Sequence, residues 1–203
     1  MTDGIVVPLL DCKNGAYIDA LLFERIDIDF AREADSAWAA HVRAAQDFAR
    51  DSGLAIPTAE PEGWNWEAKV ERSGNLISMP TLAITYQGEK QGMMALLTDG
   101  RRCRLPGHES KSLVYVRYLA TAPWNLPEFG SRFRGVGTVL MRAAVQVSID
   151  VGFKGRIGLH SLPKSERFYE CLGLSPMNHD PDTQNLKYYE LDEANVGSFI
   201  AGG

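Results

Sequence analysis

Between positions 132 and 138 the sequence reads Arg-Phe-Arg-Gly-Val-Gly-Thr, just ahead of a long helix-compatible run. Glycines let a backbone turn tightly and approach a ligand closely, and the first N–H groups of a helix have no internal acceptors. A phosphate or diphosphate satisfies such donors, is favoured by the positive end of the helix dipole, and gains charge-assisted bonds from nearby arginines. The segment therefore has the composition of an anion site. On the plainer reading, Gly135 and Gly137 only allow close packing of a helix start, and Arg132 and Arg134 are solvated. Two familiar phosphate motifs do not apply. There is no Gly-x4-Gly-Lys-Ser/Thr loop, and the glycines do not open a βαβ unit with an acidic residue about 20 positions on, since Asp150 falls inside the helix pattern.

The elements around this turn follow from periodicity. Residues 5–10 (IVVPLL) form an apolar run that Pro8 restricts to a sheet edge or strand end. Over residues 34–51, Trp38, Val42, Ala45 and Phe48 or Ala49 recur at helical spacing, with Gly53 just beyond. Residues 57–74 read as a loop followed by a short helical piece around 67–71. Residues 81–86 and 91–97 flank Gln-Gly-Glu-Lys as two strands of a hairpin, and 112–122 is a third run rich in Val, Tyr, Leu and Thr. Residues 135–151 then predict a long helix with Val136, Leu140, Ala143, Val147 and Val151 innermost. A strand over 156–160, a helix over 164–172 closed by Gly173, and a last strand over 185–191 complete the order. An antiparallel meander followed by alternating helix and strand predicts an α/β fold, a mixed sheet with helices on both faces.

Composition narrows the function classes. The 203 residues, 45% of them hydrophobic, suffice for one domain over residues 1–203. With 21 Lys+Arg against 26 Asp+Glu, the net charge of -5 gives no global attraction to nucleic acid or an anionic membrane. No stretch approaches the ~20 apolar residues that span a bilayer, and the N-terminus lacks signal-peptide features, so the cytoplasm is the expected compartment. Cys12, Cys103 and Cys171 are widely spaced and odd in number, and four scattered histidines make no metal motif, so free thiols and no metal are expected.

The pattern Arg132-x-x-Gly135-x-Gly137 resembles the (Gln/Arg)xxGx(Gly/Ala) signature of the GNAT acyltransferases. The strand over 113–121 resembles the family's fourth strand, where a bulge turns backbone groups toward the pantetheine arm. Ser165-Glu-Arg-Phe-Tyr169-Glu-Cys-Leu-Gly173-Leu174 looks like its (Ala/Ser)xxFYxxxGF helix end. These features span roughly residues 112–191, with 1–75 outside the strong match as the acceptor-side region. The resemblance implies a GNAT-like fold, with a mixed, mostly antiparallel central sheet and helices on both faces. It implies an acetyl-CoA-dependent N-acetyltransferase that moves an acetyl group to a primary amine by direct attack in a ternary complex. Backbone N–H groups of Phe133, Arg134, Gly135, Val136, Gly137 and Thr138 would hold the coenzyme A diphosphate, with Arg132 at the signature's first position. Leu119, Ala120 and Thr121 would flank the thioester and pantetheine, and Tyr169 would be the general acid for the leaving thiolate. The family also allows a homodimer.

Two positions depart from the pattern. An Asn that often precedes the tyrosine by seven positions is Leu162 here, and Leu174 replaces the usual Phe. His160 is the candidate general base at its strand end, with Glu109, Glu67 and Asp35 as weaker candidates. A lone His there is also a common structural hydrogen-bonder. On the acceptor side, Trp64 and Trp66 either flank a flat or cationic acceptor or anchor the loop to the core, and Glu60, Glu62 and Glu67 either attract a cationic amine or form a solvated face. Small amines, aminoglycosides, peptides and proteins all remain acceptors. The competing readings are a catalytically silent acyl-CoA-binding sensor or assembly module, and a plain phosphate-binding α/β domain.

Overall fold

The structure is a computed structural model that describes residues 4–58, 65–74 and 76–201. In chain order the elements are β1 (Ile5–Asp11), β2 (Ala16–Glu24), α1 (Ile28–Asp51), α2 (Trp66–Ser73), β3 (Thr81–Tyr86), β4 (Glu89–Leu97), β5 (Val114–Thr121), β6 (Phe133–Arg134), α3 (Val136–Asp150), β7 (Ile157–Ser161), α4 (Glu166–Cys171), β8 (Ser175–Asp180), β9 (Leu186–Leu191) and α5 (Val196–Ala201). The strands form a large, mostly antiparallel mixed sheet, as expected. The chain packs as two compact units. The first takes the described residues up to Leu76, with Thr81–Met93 and Ala120–Val139, and the second takes Ile77–Pro80, Met94–Leu119 and the chain from Leu140 onward.

In the first unit the strand order is β6-β1-β2-β3-β4. β1 pairs with β2 along its whole length, and on its other side, among the described residues, it meets β6 only at Leu10↔Arg134 and Asp11↔Phe133. Pro8 therefore lies on an edge stretch where its missing N–H costs no ladder bond. The helix expected from residue 34 begins six residues earlier, at Ile28. Asp27 caps it by accepting the Phe30 N–H at 2.8 Å, and the run from Ile28 to Glu33 is charged enough to hide the helical period. α1 buries Ala31, Ala34, Trp38 and Ala49, while Phe48 is exposed, and the Trp38 indole N–H donates to the Lys90 carbonyl at 3.0 Å. The β3–β4 turn is tighter than expected. Gln87 and Gly88 both take positive φ (51° and 82°), the two-residue geometry whose twist suits a hairpin.

In the second unit the order is β4-β5-β7-β9-β8. β5 and β7 are parallel and pair at Val114↔Ile157 and Tyr115↔Gly158; among the described residues no further pair joins them, while β7 stays paired with β9 through Ser161. The two parallel strands thus part beyond Tyr115 and Gly158. The buried stripe of α3 differs in phase from the expected one. Val136 and Leu140 are buried as predicted, but Met141, Ala144, Val145 and Ser148 join them, with Ala143 and Val147 half-buried and Val151 exposed. Nine of the fifteen residues of this helix are apolar and they are spread over most of its circumference, so hydrophobicity alone left its rotation undetermined.

Glu190 on β9 is 1% exposed, and its carboxylate accepts the backbone N–H of Arg104 at 2.5 Å and of Leu105 at 3.1 Å. These bonds fasten the β4–β5 connection to the sheet. Glu190→Ala leaves both donors without a partner, and the expected loss is about 2 kcal/mol of stability, with Glu190→Gln losing about half that. Hydrogen exchange at the Arg104 and Leu105 amides should accelerate in the Ala variant while β7 amides stay protected.

Candidate active site

Residues 132–138 lie in the first unit. The Arg132 N–H donates to the Trp124 carbonyl at 2.8 Å, and the Arg132 carbonyl accepts the Cys12 N–H at 3.0 Å. The Phe133 N–H is engaged too, donating to Asn125 Oδ1 at 3.1 Å, and its buried ring packs edge-on against Tyr86. The expected run of free donors from Phe133 is thus corrected at its start: Phe133 and Arg134 form β6 and brace the turn against β1. Gly135 follows with φ +97°, a conformation that favours glycine, and swings the chain from strand to helix. The Val139 N–H donates to the Gly135 carbonyl at 2.8 Å, so the N–H groups of Val136, Gly137 and Thr138 precede any intrahelical acceptor.

The Arg132 side chain is tied elsewhere. Its guanidinium sits 2.6 Å from Glu89 Oε2 and stacks over the Phe133 ring with Cζ 4.9 Å from the centroid. Both residues line a cleft of about 550 Å³ in this unit, together with Glu33, His41, Lys90 and Trp124. The second carboxylate there, Glu33, is paired with Lys90, so the cleft wall is charge-balanced. Leu119, Ala120 and Thr121 at the end of β5 are half-buried.

On the acceptor side, Trp66 is fully buried, as an anchor would be. Asp35 accepts the backbone N–H groups of Trp66 and Glu67 at 3.0 and 2.9 Å, and Glu67 pairs with Arg32. Both carboxylates are thus engaged in holding α2 on α1. Glu109 is exposed, and backbone N–H groups hold its carboxyl below the usual range. Trp64, Glu60 and Glu62 lie outside the described residues.

Tyr169 and His160 belong to the second unit. Tyr169 is buried on α4, its ring 5.1 Å from that of Phe168 and 5.9 Å from that of Tyr189. Burial pushes its phenol far above the ordinary value, and its hydroxyl has no hydrogen-bond partner among the described residues. It is a protonated donor with a free hydrogen.

His160 is engaged at both ring nitrogens: Nδ1 lies 2.7 Å from the Tyr115 hydroxyl and Nε2 3.0 Å from Asp180 Oδ2. Asp180 is bridged in turn to Arg104 at 2.8 Å, and that contact holds its carboxyl below the usual range. Burial lowers the His160 pKa, with Arg104 and Arg101 adding to the shift and Asp180 opposing it. A direct base role for His160 is therefore corrected, since neither nitrogen is open to an acceptor. Sequence reasoning missed Tyr115, Asp180 and Arg104. They lie far apart in the chain, and Pro176 and Asn178 interrupt the alternation of β8, which carries Asp180. The polar Asn178-His179-Asp180 run beside a strand was the one available signal.

No family model matches the chain, and no curated protein matches it. Solved structures do. The GNAT domain of S. lividans PAT superposes with a TM-score of 0.55 at 14% identity, covering 93% of this chain and 96% of its own. A putative acetyltransferase of the GNAT family from Desulfovibrio desulfuricans gives a TM-score of 0.52 at 15% identity, covering 86% and 99%. The AtaT toxin, solved bound to the C-terminus of the antitoxin AtaR, gives 0.51 at 16% identity, covering 72% and 87%. Likeness at such identities speaks for architecture, and with the parting of β5 from β7 and the glycine turn ahead of α3 it leads to one conclusion: this chain has the fold of the GNAT acetyltransferases.

Proposed function

We propose that the chain is an acetyl-CoA-dependent N-acetyltransferase working as one domain, with the coenzyme A diphosphate on the turn before α3. The observation that carries the reading is the start of α3. Three N–H groups without intrahelical acceptors follow a glycine at φ +97°, within a Gly-x-Gly turn preceded by the exposed Arg134, in a chain of GNAT fold. The gap between β5 and β7 supports it as well, since an extended pantetheine arm can use strand-edge donors there as a further strand would. In the reaction a neutral amine attacks the thioester carbon, the C–N bond forms, the C–S bond breaks, and the departing thiolate takes a proton.

Tyr169 is the proposed donor to that sulfur. A phenol at about 10 is already a weaker acid than a thiol at about 8.5, and burial widens the gap. Its contribution is then mainly a hydrogen bond to the developing thiolate. Tyr169→Phe should lower kcat by about 10- to 100-fold, at the lower end of general-acid effects, with acetyl-CoA affinity unchanged. Equal loss in binding and kcat would assign the hydroxyl to cofactor positioning instead.

The test of the reading is acetyl-CoA binding by calorimetry, followed by thiol release with spermidine, an aminoglycoside and a lysine-containing peptide as acceptors. Micromolar binding with amine-dependent thiol release supports a transferase. Binding without turnover supports the silent acyl-CoA module, for which Leu162 in the usual asparagine position is the favouring residue. No binding removes the reading.

A further inference from the structure

Asp180, His160 and Tyr115 form a continuous hydrogen-bonded chain that the proposed reaction has not used. Asp180 as a carboxylate can only accept, so the His160 proton sits on Nε2 and the Nδ1 lone pair accepts from the Tyr115 hydroxyl. This is the carboxylate–imidazole–hydroxyl logic that activates a hydroxyl oxygen toward a proton or an electrophile. The imidazole is held on every side: Tyr115 from β5, Asp180 from β8, and the Tyr188 ring of β9 at 4.8 Å. From the β4–β5 connection, Arg104 lies over the Tyr188 ring (4.2 Å) and Arg101 over the Tyr115 ring (4.8 Å). The side chains of His160 and Asp180 are only 4% and 9% exposed, whereas Tyr115 is half-buried, so the phenol is the more open end of the chain.

Its position gives it a function. Tyr115↔Gly158 is the last registered pair before the two parallel strands part. The phenol is therefore rooted at the apex of that gap, and it lies near enough to Tyr169 to raise that residue's pKa further.

We propose that Tyr115 is the group that accepts the acceptor amine's proton, through a relay in which the Tyr115 hydroxyl proton passes to His160 Nδ1 and Asp180 holds the resulting imidazolium. This rests on the transferase reading. The step balances: as the nitrogen bonds to the acetyl carbon, one N–H proton moves to the Tyr115 oxygen while the phenol's own proton moves to His160. The thiolate, hydrogen-bonded by Tyr169, takes its proton from water, and the imidazolium returns its own proton to solvent, so that the balance closes. Tyr115 is the catalytic residue of the set, and His160 and Asp180 are positioning residues. Only neutral imidazole accepts, so activity falls as pH drops, with a midpoint below the ordinary histidine value of about 6.5.

The experiment is kcat against pH for the wild type, Tyr115→Phe and Asp180→Asn, with acetyl-CoA and the three amines named above, beside calorimetric acetyl-CoA affinity and melting temperature. The expected result is a 10²- to 10⁴-fold fall in kcat for Tyr115→Phe with affinity kept and the acid limb of the profile lost. Asp180→Asn, whose amide can donate to Nε2 and so reverse the tautomer, should fall similarly. Variants that melt earlier but keep the wild-type kcat and acid limb overturn the relay and leave the chain as cross-strand bracing, with the transferase reading intact. A wild type that binds no acetyl-CoA, or binds it and acetylates none of the amines, overturns both.

Discussion

Gly137→Glu loses acetyl-CoA binding by about a thousandfold while the folded chain melts at the same temperature or higher. The two effects have opposite signs because they act on different partners. A carboxylate about 4 Å from a diphosphate charge, at the effective dielectric of a protein surface, costs on the order of 4 kcal/mol, or about three decades in affinity. For the helix itself, exchanging glycine for glutamate inside the first turn of α3 gains intrinsic propensity of roughly 0.5–1 kcal/mol and a favourable charge at the positive end of the dipole. A variant that binds acetyl-CoA as the wild type does would place the diphosphate away from this turn. A variant that fails to fold would mean that Gly137 serves packing, the plainer reading of the Gly-x-Gly pattern. Titration calorimetry and a thermal melt on the same samples separate these outcomes.

The second large effect is on stability. Gly158→Ala lowers the melting temperature by roughly 6–12 °C, corresponding to about 3 kcal/mol in a chain of this length. A methyl at Gly158 would overlap the Tyr188 hydroxyl oxygen outright and press on Tyr188 Cζ at 3.1 Å and Leu113 Cδ2 at 3.2 Å. None of these can withdraw easily: Tyr188 is 3% exposed on β9, which is paired on both sides, and Leu113 is 1% exposed. Because the worst overlap is with one oxygen, Gly158→Ala combined with Tyr188→Phe should recover at least about 1 kcal/mol, a non-additivity expected only of side chains in contact. Strict additivity in that double-mutant cycle would show that the strand shifts as a body instead.

The architecture was largely readable because its elements carry strong local signals. The glycine turn, the hairpin with its positive-φ pair, and the aromatic helix end closed by Gly173 each combine a period with a stop. β2, β8 and α5 went unread for different reasons. Ala16–Glu24 departs from strict alternation at Leu21-Leu22-Phe23, Ser175–Asp180 contains a proline and few apolar residues, and Val196–Ala201 is too short for helical periodicity to show. The glycine turn was legible as a sequence-local feature, since its N–H groups come from consecutive residues. The hydrogen-bonded cluster was not, because Tyr115, His160 and Asp180 meet only through the pairing of β5 with β7 and of β9 with β7 and β8. The negative side was partly legible too. A buried tryptophan at 66 matches the anchor reading of its residue type, whereas Asp35, a base candidate by sequence, is occupied with accepting the Trp66 and Glu67 N–H groups.

The pairing of β1 with β6 has a consequence for biosynthesis. Leu10 and Asp11 leave the ribosome more than a hundred residues ahead of their partners Arg134 and Phe133. Until then that edge of the nascent β1–β2 hairpin stays unpaired, with Val6 and Tyr17 exposed even in the finished fold. Contacts of such sequence separation slow folding and prolong the interval in which an open strand edge can meet another nascent chain. The edge therefore stays open to association until Arg134 has emerged, and a chain ending between residues 25 and 130 would carry an aggregation-prone edge rather than form a smaller stable protein.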